Sequence, residues 1–306
     1  MMTFYEVAGV VATTGIIYKV FYPFLRVLFY FTIGKRIFSK RNLLPKFGEW
    51  AIITGGADGI GKAFAQELAS DGLNIFILGR TEEKLKSVAS DLERTYRVQA
   101  KYLTVDFTRH DIYERIEDGI RKLSSIACLV NNVGMINQHW EEFGLEPTLT
   151  TEKIQRMITC NSISTACMTR VLLPRMLSQT TGSAIINISS ASSQLPLPYH
   201  VLYASTKAFV TQFSDCLEAE LERSSVIVQC YCPMYVKSNM FDVKHCFTIP
   251  DTRTFARSAL DMFGVERHTT GYFAHSLQTA LYTLAPRPGM TYTIHMDYLW
   301  NHKRNR

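Results

Sequence analysis

The chain has 306 residues, of which 47% are hydrophobic and 20% charged, with a formal net charge of +6. That size and balance suit one large α/β domain with a substantial core, and exclude a disordered or collagen-like chain. Its seven cysteines, at 128, 160, 167, 216, 230, 232 and 246, are odd in number and lack metal-site spacing. They read as reduced thiols facing a reducing compartment, and no metal is expected.

Residues 4–33 are rich in Val, Ile, Leu, Phe and Tyr and are interrupted by Lys19 and Arg26. The longest uncharged stretch, Val7–Tyr18, is shorter than the roughly 20 residues needed to cross a bilayer. With Lys19 snorkelling, Val7–Leu25 is long enough. A cleavable signal peptide fits badly, because no basic n-region opens the chain. Lys35, Arg36, Lys40, Arg41 and Lys46 follow directly without acids, which predicts a cytosolic catalytic part under the positive-inside rule. The same order favours a membrane over nucleic acid as the partner of the basic cluster. An interfacial helix or re-entrant loop is the alternative that Pro23 and Arg26 suit. The expected division is a membrane-anchoring segment at 1–34, a basic linker at 35–47 and a catalytic domain at 48–306.

From Glu49 the pattern changes. Glu49–Thr54 reads as a buried strand, Gly55-Gly56-Ala57-Asp58-Gly59-Ile60-Gly61 as a tight turn, and Lys62–Ser70 as an amphipathic helix. In that context Gly55 serves the turn, Gly59 the backbone's approach to a diphosphate, and Gly61 close helix–strand packing. The helix N-terminus adds amide donors. Strands at Asn74–Leu78, Ala100–Val105 and Ile126–Val130 alternate with helices at Glu82–Thr95 and Asp111–Leu123. Such βαβα order predicts a doubly wound parallel sheet in three α/β/α layers.

Further along, Tyr203 and Lys207 stand at i and i+4 on a predicted helix and share a face. A cation beside a phenol favours the phenolate, so the pair predicts a Tyr203 pKa drawn down toward neutrality. Ser190, after the apolar run Ala184–Ile188, is placed to hold a carbonyl oxygen beside that phenol. Asn187-Ile188-Ser189 is a formal glycosylation sequon, but it lies in a predicted buried strand and no glycan is expected there.

Thr54-Gly55-x-x-x-Gly59-Ile60-Gly61, Asp106, Asn131-Asn132-Val133-Gly134, Asn161, Ser190 and Tyr203-x-x-x-Lys207 resemble, in order and spacing, the short-chain dehydrogenase/reductase family over about residues 48–240. The resemblance implies a Rossmann-type sheet and a nicotinamide cofactor. It implies adenine binding by Asp106, support of the cofactor pocket by Asn132, and a helix bend with a relay water at Asn161. Backbone groups near Val236 would contact the carboxamide, in a loop where Met234 replaces the family's glycine. An NAD enzyme usually carries an acid after its second strand. Here Gly79-Arg80-Thr81 stands there, so Arg80 points to NADPH/NADP, with Asp58 an unusual acid for such a turn.

Residues 239–270, with Met240, Phe241, Phe247, Phe255, Met262 and Phe263, are expected to form a substrate lid, though a buried core helix explains them almost as well. Residues 271–306 would be a C-terminal extension. Phe47-Gly48-Glu49-Trp50, Asn131–Met135 and Thr270-Gly271-Tyr272 resemble the microsomal branch of 17-beta-hydroxysteroid dehydrogenases and very-long-chain 3-oxoacyl-CoA reductases. That implies an endoplasmic reticulum membrane enzyme reducing a ketone on a lipophilic substrate, a 17-keto steroid first and a 3-oxoacyl-CoA as the alternative. A homodimer is compatible with the resemblance. A catalytically silent membrane-tethered scaffold is the different class, and the intact Ser190, Tyr203 and Lys207 set argues against it.

Overall fold

The structure is a computed structural model that describes residues 3–136, 142–145, 147–239 and 244–284. Helix α1 (Phe4–Phe29) opens with a capping box in which the Glu6 amide donates to Thr3 Oγ1 and the Thr3 amide to Glu6 Oε2. It runs through Pro23 and a π-turn at Tyr30–Gly34 into α2 (Lys35–Phe38), so no re-entrant break occurs at the proline. No α1 residue is buried. It belongs to the one helical run among the described residues that is long and apolar enough to cross a membrane. At about 1.5 Å per residue, Val7–Leu25 covers roughly 28 Å, close to a bilayer's hydrocarbon thickness.

The end of this run docks on the body of the protein. Arg26 pairs with Glu266 at 2.7 Å, and Phe31 meets Phe273 edge-on with ring centroids 5.9 Å apart. Arg26 is thereby matched by a protein carboxylate rather than left to seek water.

After α3 (Leu44–Phe47), the chain alternates through β1 (Trp50–Thr54), α4 (Gly59–Ser70), β2 (Asn74–Gly79), α5 (Glu82–Tyr96), β3 (Ala100–Thr104), α6 (Tyr113–Arg121) and β4 (Ile126–Asn131). It continues with α7 (Thr151–Ile158), α8 (Ser164–Ser178), β5 (Ser183–Ile188), α9 (Val201–Glu220), β6 (Val226–Tyr231), α10 (Thr252–Asp261), β7 (His268–Thr269) and α11 (Phe273–Leu284). The strands form one parallel sheet in the order β3-β2-β1-β4-β5-β6-β7. The order reverses between β1 and β4, the crevice where doubly wound sheets take their ligands.

Strand alternation divides the core in two. Ala51 and Ile53 of β1 enter one apolar cluster with Phe64 and Leu68 of α4, while Trp50 and Ile52 enter the other with Met168 and Leu172 of α8. Both faces are covered, which is why these strands read as continuous apolar runs rather than alternating ones.

Helix α10 lies against α4. Phe255, Met262 and Phe263 are fully buried, and Phe255 meets Phe64 edge-on at 6.4 Å. Of the two readings the sequence allows for these three residues, the core helix is the one observed. Phe247 is exposed, and Met240 and Phe241 lie outside the described residues, as does the extension beyond 284. Beneath α10, the buried Glu67 of α4 receives Arg41 at 3.1 Å, Arg257 at 3.1 Å and Arg253 at 3.4 Å. Burial pushes the Glu67 carboxyl up, but Arg257 and Arg41 outweigh it and hold the group below its ordinary value.

Candidate active site

The turn after β1 is built for close approach. Gly55 and Gly59 adopt φ of +67° and +55°, the left-handed region that favours glycine. A Cβ on Gly61 would lie 2.3 Å from the Gly55 carbonyl oxygen and 2.4 Å from Asn132 Nδ2, so the start of α4 packs directly on the turn. Asp58 caps α4 by accepting from the Gly59 amide at 2.8 Å. Ile60 packs against the core from within the first turn.

Thr54 and Asn132 join β1 to β4 at the switch point. Thr54 Oγ1 accepts from the Asn132 and Val133 amides at 3.0 and 3.1 Å, and Asn132 Nδ2 donates to the Thr54 carbonyl at 3.0 Å. Arg80 follows β2 exposed, with no acid paired to it among the described residues. Asp106 follows β3 within electrostatic reach of Arg80 and accepts from the Thr108 amide and hydroxyl at 3.0 and 2.9 Å. The acid at Asp58 is matched by Lys84 at 2.9 Å and by Asn239 at 2.7 Å. Lys84 thus offsets an acid that the sequence sets against an NADP site. An unpaired guanidinium beside a glycine turn fits a nucleotide carrying a 2′-phosphate.

On the other side of the crevice, Tyr203 and Lys207 project from α9, and Ser190 at the end of β5 is close enough to act on the Tyr203 phenol. Lys207 Nζ donates to the Ile188 carbonyl at 2.9 Å and lies 5.8 Å from the Tyr203 ring centroid. The pair forms as the i, i+4 spacing predicts, but the expected shift of the phenol is reversed. Burial pushes Tyr203 up to about 12, Ser190 opposing it, and Lys207 is no cause of the shift. The ammonium is itself buried and turned to a carbonyl, and burial lowers it to about 8. Tyr203 is therefore a protonated phenol at neutral pH in this geometry.

Asn161 sits in a π-turn (Thr159–Ile163) between α7 and α8, matching the helix irregularity expected of it. Its Oδ1 accepts from the Met135 amide at 2.7 Å, while Nδ2 donates to the Met135 carbonyl and to Thr206 Oγ1 at 2.9 and 3.0 Å. The carboxamide thus pins the loop after β4. A Cβ on Gly134 would lie 3.5 Å from Lys207 Nζ and 3.6 Å from Asn161 Oδ1, so both groups converge on that loop.

Val236 is buried in the segment after β6, and the Ala191 amide donates to the Pro233 carbonyl at 2.9 Å, tying that segment to Ser190. No motif points to His275, yet its ring contacts this segment from α11. The Met234 amide donates to His275 Nδ1 at 3.3 Å, and His275 Nε2 meets the Tyr235 carbonyl at 3.2 Å.

Chain spacing also missed a cluster. Strand pairing brings Cys230, Cys232 and His268 within 4.8 Å of one another. Their polar atoms have protein partners: Thr211 and Ser193 hydroxyls lie 3.8 and 4.0 Å from Cys232 Sγ, and His268 Nε2 contacts Asp215. Asn187 of the sequon is buried and donates to Ser214, which leaves no place for a glycan.

The family model for short chain dehydrogenases matches residues 49–245. This chain belongs to the short-chain dehydrogenase family. It is 40% identical to a very-long-chain 3-oxoacyl-CoA reductase from Bos taurus over 269 residues, 87% of this chain and 85% of that protein. The very-long-chain 3-oxoacyl-CoA reductase-A of Danio rerio is 40% identical over 267 residues, 86% of this chain and 83% of its own. Among solved structures, a short-chain dehydrogenase from Sphingobium yanoikuyae in complex with NADPH superimposes with a TM-score of 0.63 at 26% identity, covering 69% of this chain and 83% of its own. As a short-chain dehydrogenase, the protein is an oxidoreductase with a Rossmann-type sheet.

Proposed function

We propose that the protein reduces the 3-keto group of a long-chain 3-oxoacyl-CoA with NADPH, at the endoplasmic reticulum membrane with its catalytic part in the cytosol. The carrying observation is 40% identity to 3-oxoacyl-CoA reductases over 85% of the Bos taurus protein's length. The sequence by itself ranks a 17-keto steroid first; these relatives favour the acyl-CoA. The membrane placement rests on α1 and the basic run that follows it.

NADPH supplies the hydride when bound. Thr54, Gly55, Gly59, Ile60 and Gly61 would hold its diphosphate at the start of α4, with Arg80 at the 2′-phosphate and Asp106 at the adenine. Asn132 and Val236 would shape the pocket around the nicotinamide. Ser190 acts on the Tyr203 phenol from the end of β5, so one carbonyl oxygen can be held by both hydroxyls. Tyr203 then gives its proton to the developing alkoxide. Lys207, buried and bonded to the Ile188 carbonyl, would hold the cofactor's ribose, and Asn161 pins the loop after β4 that the Lys207 ammonium approaches at Gly134.

Turnover of the purified, detergent-solubilised protein with NADPH and a long-chain 3-oxoacyl-CoA tests the reading against a 17-keto steroid. The expected result is a higher kcat/KM for the acyl-CoA, and steroid turnover alone would reverse the assignment. Arg80→Glu should raise KM for NADPH on the order of 100-fold, as a charge-assisted pair of about 1.5–3 kcal/mol becomes a repulsion, and change NADH little. Equal loss with both nucleotides would remove Arg80 from the 2′-phosphate site.

A further inference from the structure

The segment after β6 departs from its family at Met234, a larger and stiffer residue where a glycine is usual, yet it must present backbone to the cofactor. Two anchors hold it. One is the Ala191 amide on the Pro233 carbonyl, beside Ser190. The other is His275, which is fully buried and reaches the loop from α11.

The ring is wedged between Tyr272, edge-on at 5.2 Å, and Phe255 at 6.2 Å. An amide can only donate and a carbonyl only accept, so the Met234 N–H on Nδ1 and the Tyr235 C=O at Nε2 fix one neutral tautomer, protonated at Nε2. Burial lowers the group to about 4, in keeping with that neutral form. Two consecutive peptide groups are thus gripped from opposite polarities by one rigid ring. The side chain this presents is Tyr235, half exposed on a loop that the Ala191–Pro233 bond holds beside Ser190.

We propose that His275 is a positioning residue that sets the Met234–Tyr235 loop, and that Tyr235, so placed, is a substrate-contacting wall of the ketone site beside Tyr203. The role rests on the ketone-reductase reading but not on which ketone is reduced, so the assay uses whichever ketone the native protein turns over. Its readouts are the single-turnover rate of NADPH oxidation and NADPH affinity by protein-to-nicotinamide energy transfer. His275→Leu removes both hydrogen bonds. His275→Asn can retain the acceptor for the Met234 amide, and His275→Gln the donor to the Tyr235 carbonyl.

The expected order of rates is native, then Asn and Gln, then Leu, with Leu slower on the order of 100-fold, since small misplacement of reacting groups costs about that much. Tyr235→Ala should raise KM for the ketone at least several-fold while NADPH affinity stays within about twofold, as removal of a substrate contact predicts. A folded Leu variant with native rate would overturn the role of His275, and so would equal slowing of all three variants, which would make the residue mere filling. If the Leu variant does not fold, native rates in both Asn and Gln overturn it instead. An unchanged KM in Tyr235→Ala overturns the wall.

Discussion

Tyr203→Phe is expected to lower the rate of ketone reduction by about 10²–10⁴-fold, the range for loss of a positioned general acid, while NADPH still binds. The substitution removes only the phenolic oxygen. It leaves the ring on α9, Ser190 at the end of β5 and the Lys207 bond to the Ile188 carbonyl in place. Single-turnover oxidation of NADPH separates chemistry from binding. A native rate would sink the proton-transfer role, and loss of NADPH binding would place the hydroxyl in the cofactor site instead. Because the phenol is pushed up to about 12, the native rate of reduction should not fall through deprotonation of Tyr203 anywhere between pH 6 and 9.

Gly61→Ala should be the most damaging glycine-to-alanine substitution among the described residues. Its methyl group would lie 2.3 Å from a backbone oxygen and 2.4 Å from the Asn132 carboxamide, contacts that real Cβ atoms do not make. Either α4 moves off the turn or the Thr54–Asn132 bonds between β1 and β4 open. Overpacking of this kind costs about 1–3 kcal/mol, and here the obstructing atom is backbone, so the upper end is expected. At roughly 2–4 °C per kcal/mol for a chain near this size, the melting temperature should drop by about 6–12 °C. NADPH affinity should fall with it, since the amides of the α4 N-terminus move too. A variant with native melting temperature and affinity would mean that the turn has slack the structure does not show.

Much of the crevice was legible because it is local. The glycine turn, the strand before it and the helix after it are one contiguous segment, and Ala51, Ile53 and Trp50, Ile52 carry their burial in their alternation. The i, i+4 pair on α9 is likewise a property of helix geometry. What could not be read is whatever depends on partners distant in the chain. The Glu67 cluster gathers Arg41, Arg253 and Arg257 from segments on either side of it in sequence. Lys84 of α5 pairs with Asp58 across the whole of α4 and β2, and His275 grips Met234 from the last described helix.

Phe255, Met262 and Phe263 show the same limit. An apolar helical stripe looks alike whether it caps a substrate or fills a core, and only the face of α4 opposite it decides. The sequence alone determined the parallel sheet, the glycine turn, the membrane-length apolar helix and the company of Ser190, Tyr203 and Lys207, because periodicity and short spacings survive without a fold. The tertiary structure alone decided the proton on Tyr203. A cation at i+4 pointed to a lowered phenol, but burial of the phenol itself raises it while Lys207 turns to the Ile188 carbonyl, since desolvation is set by everything packed around a group and not by its neighbour on the helix.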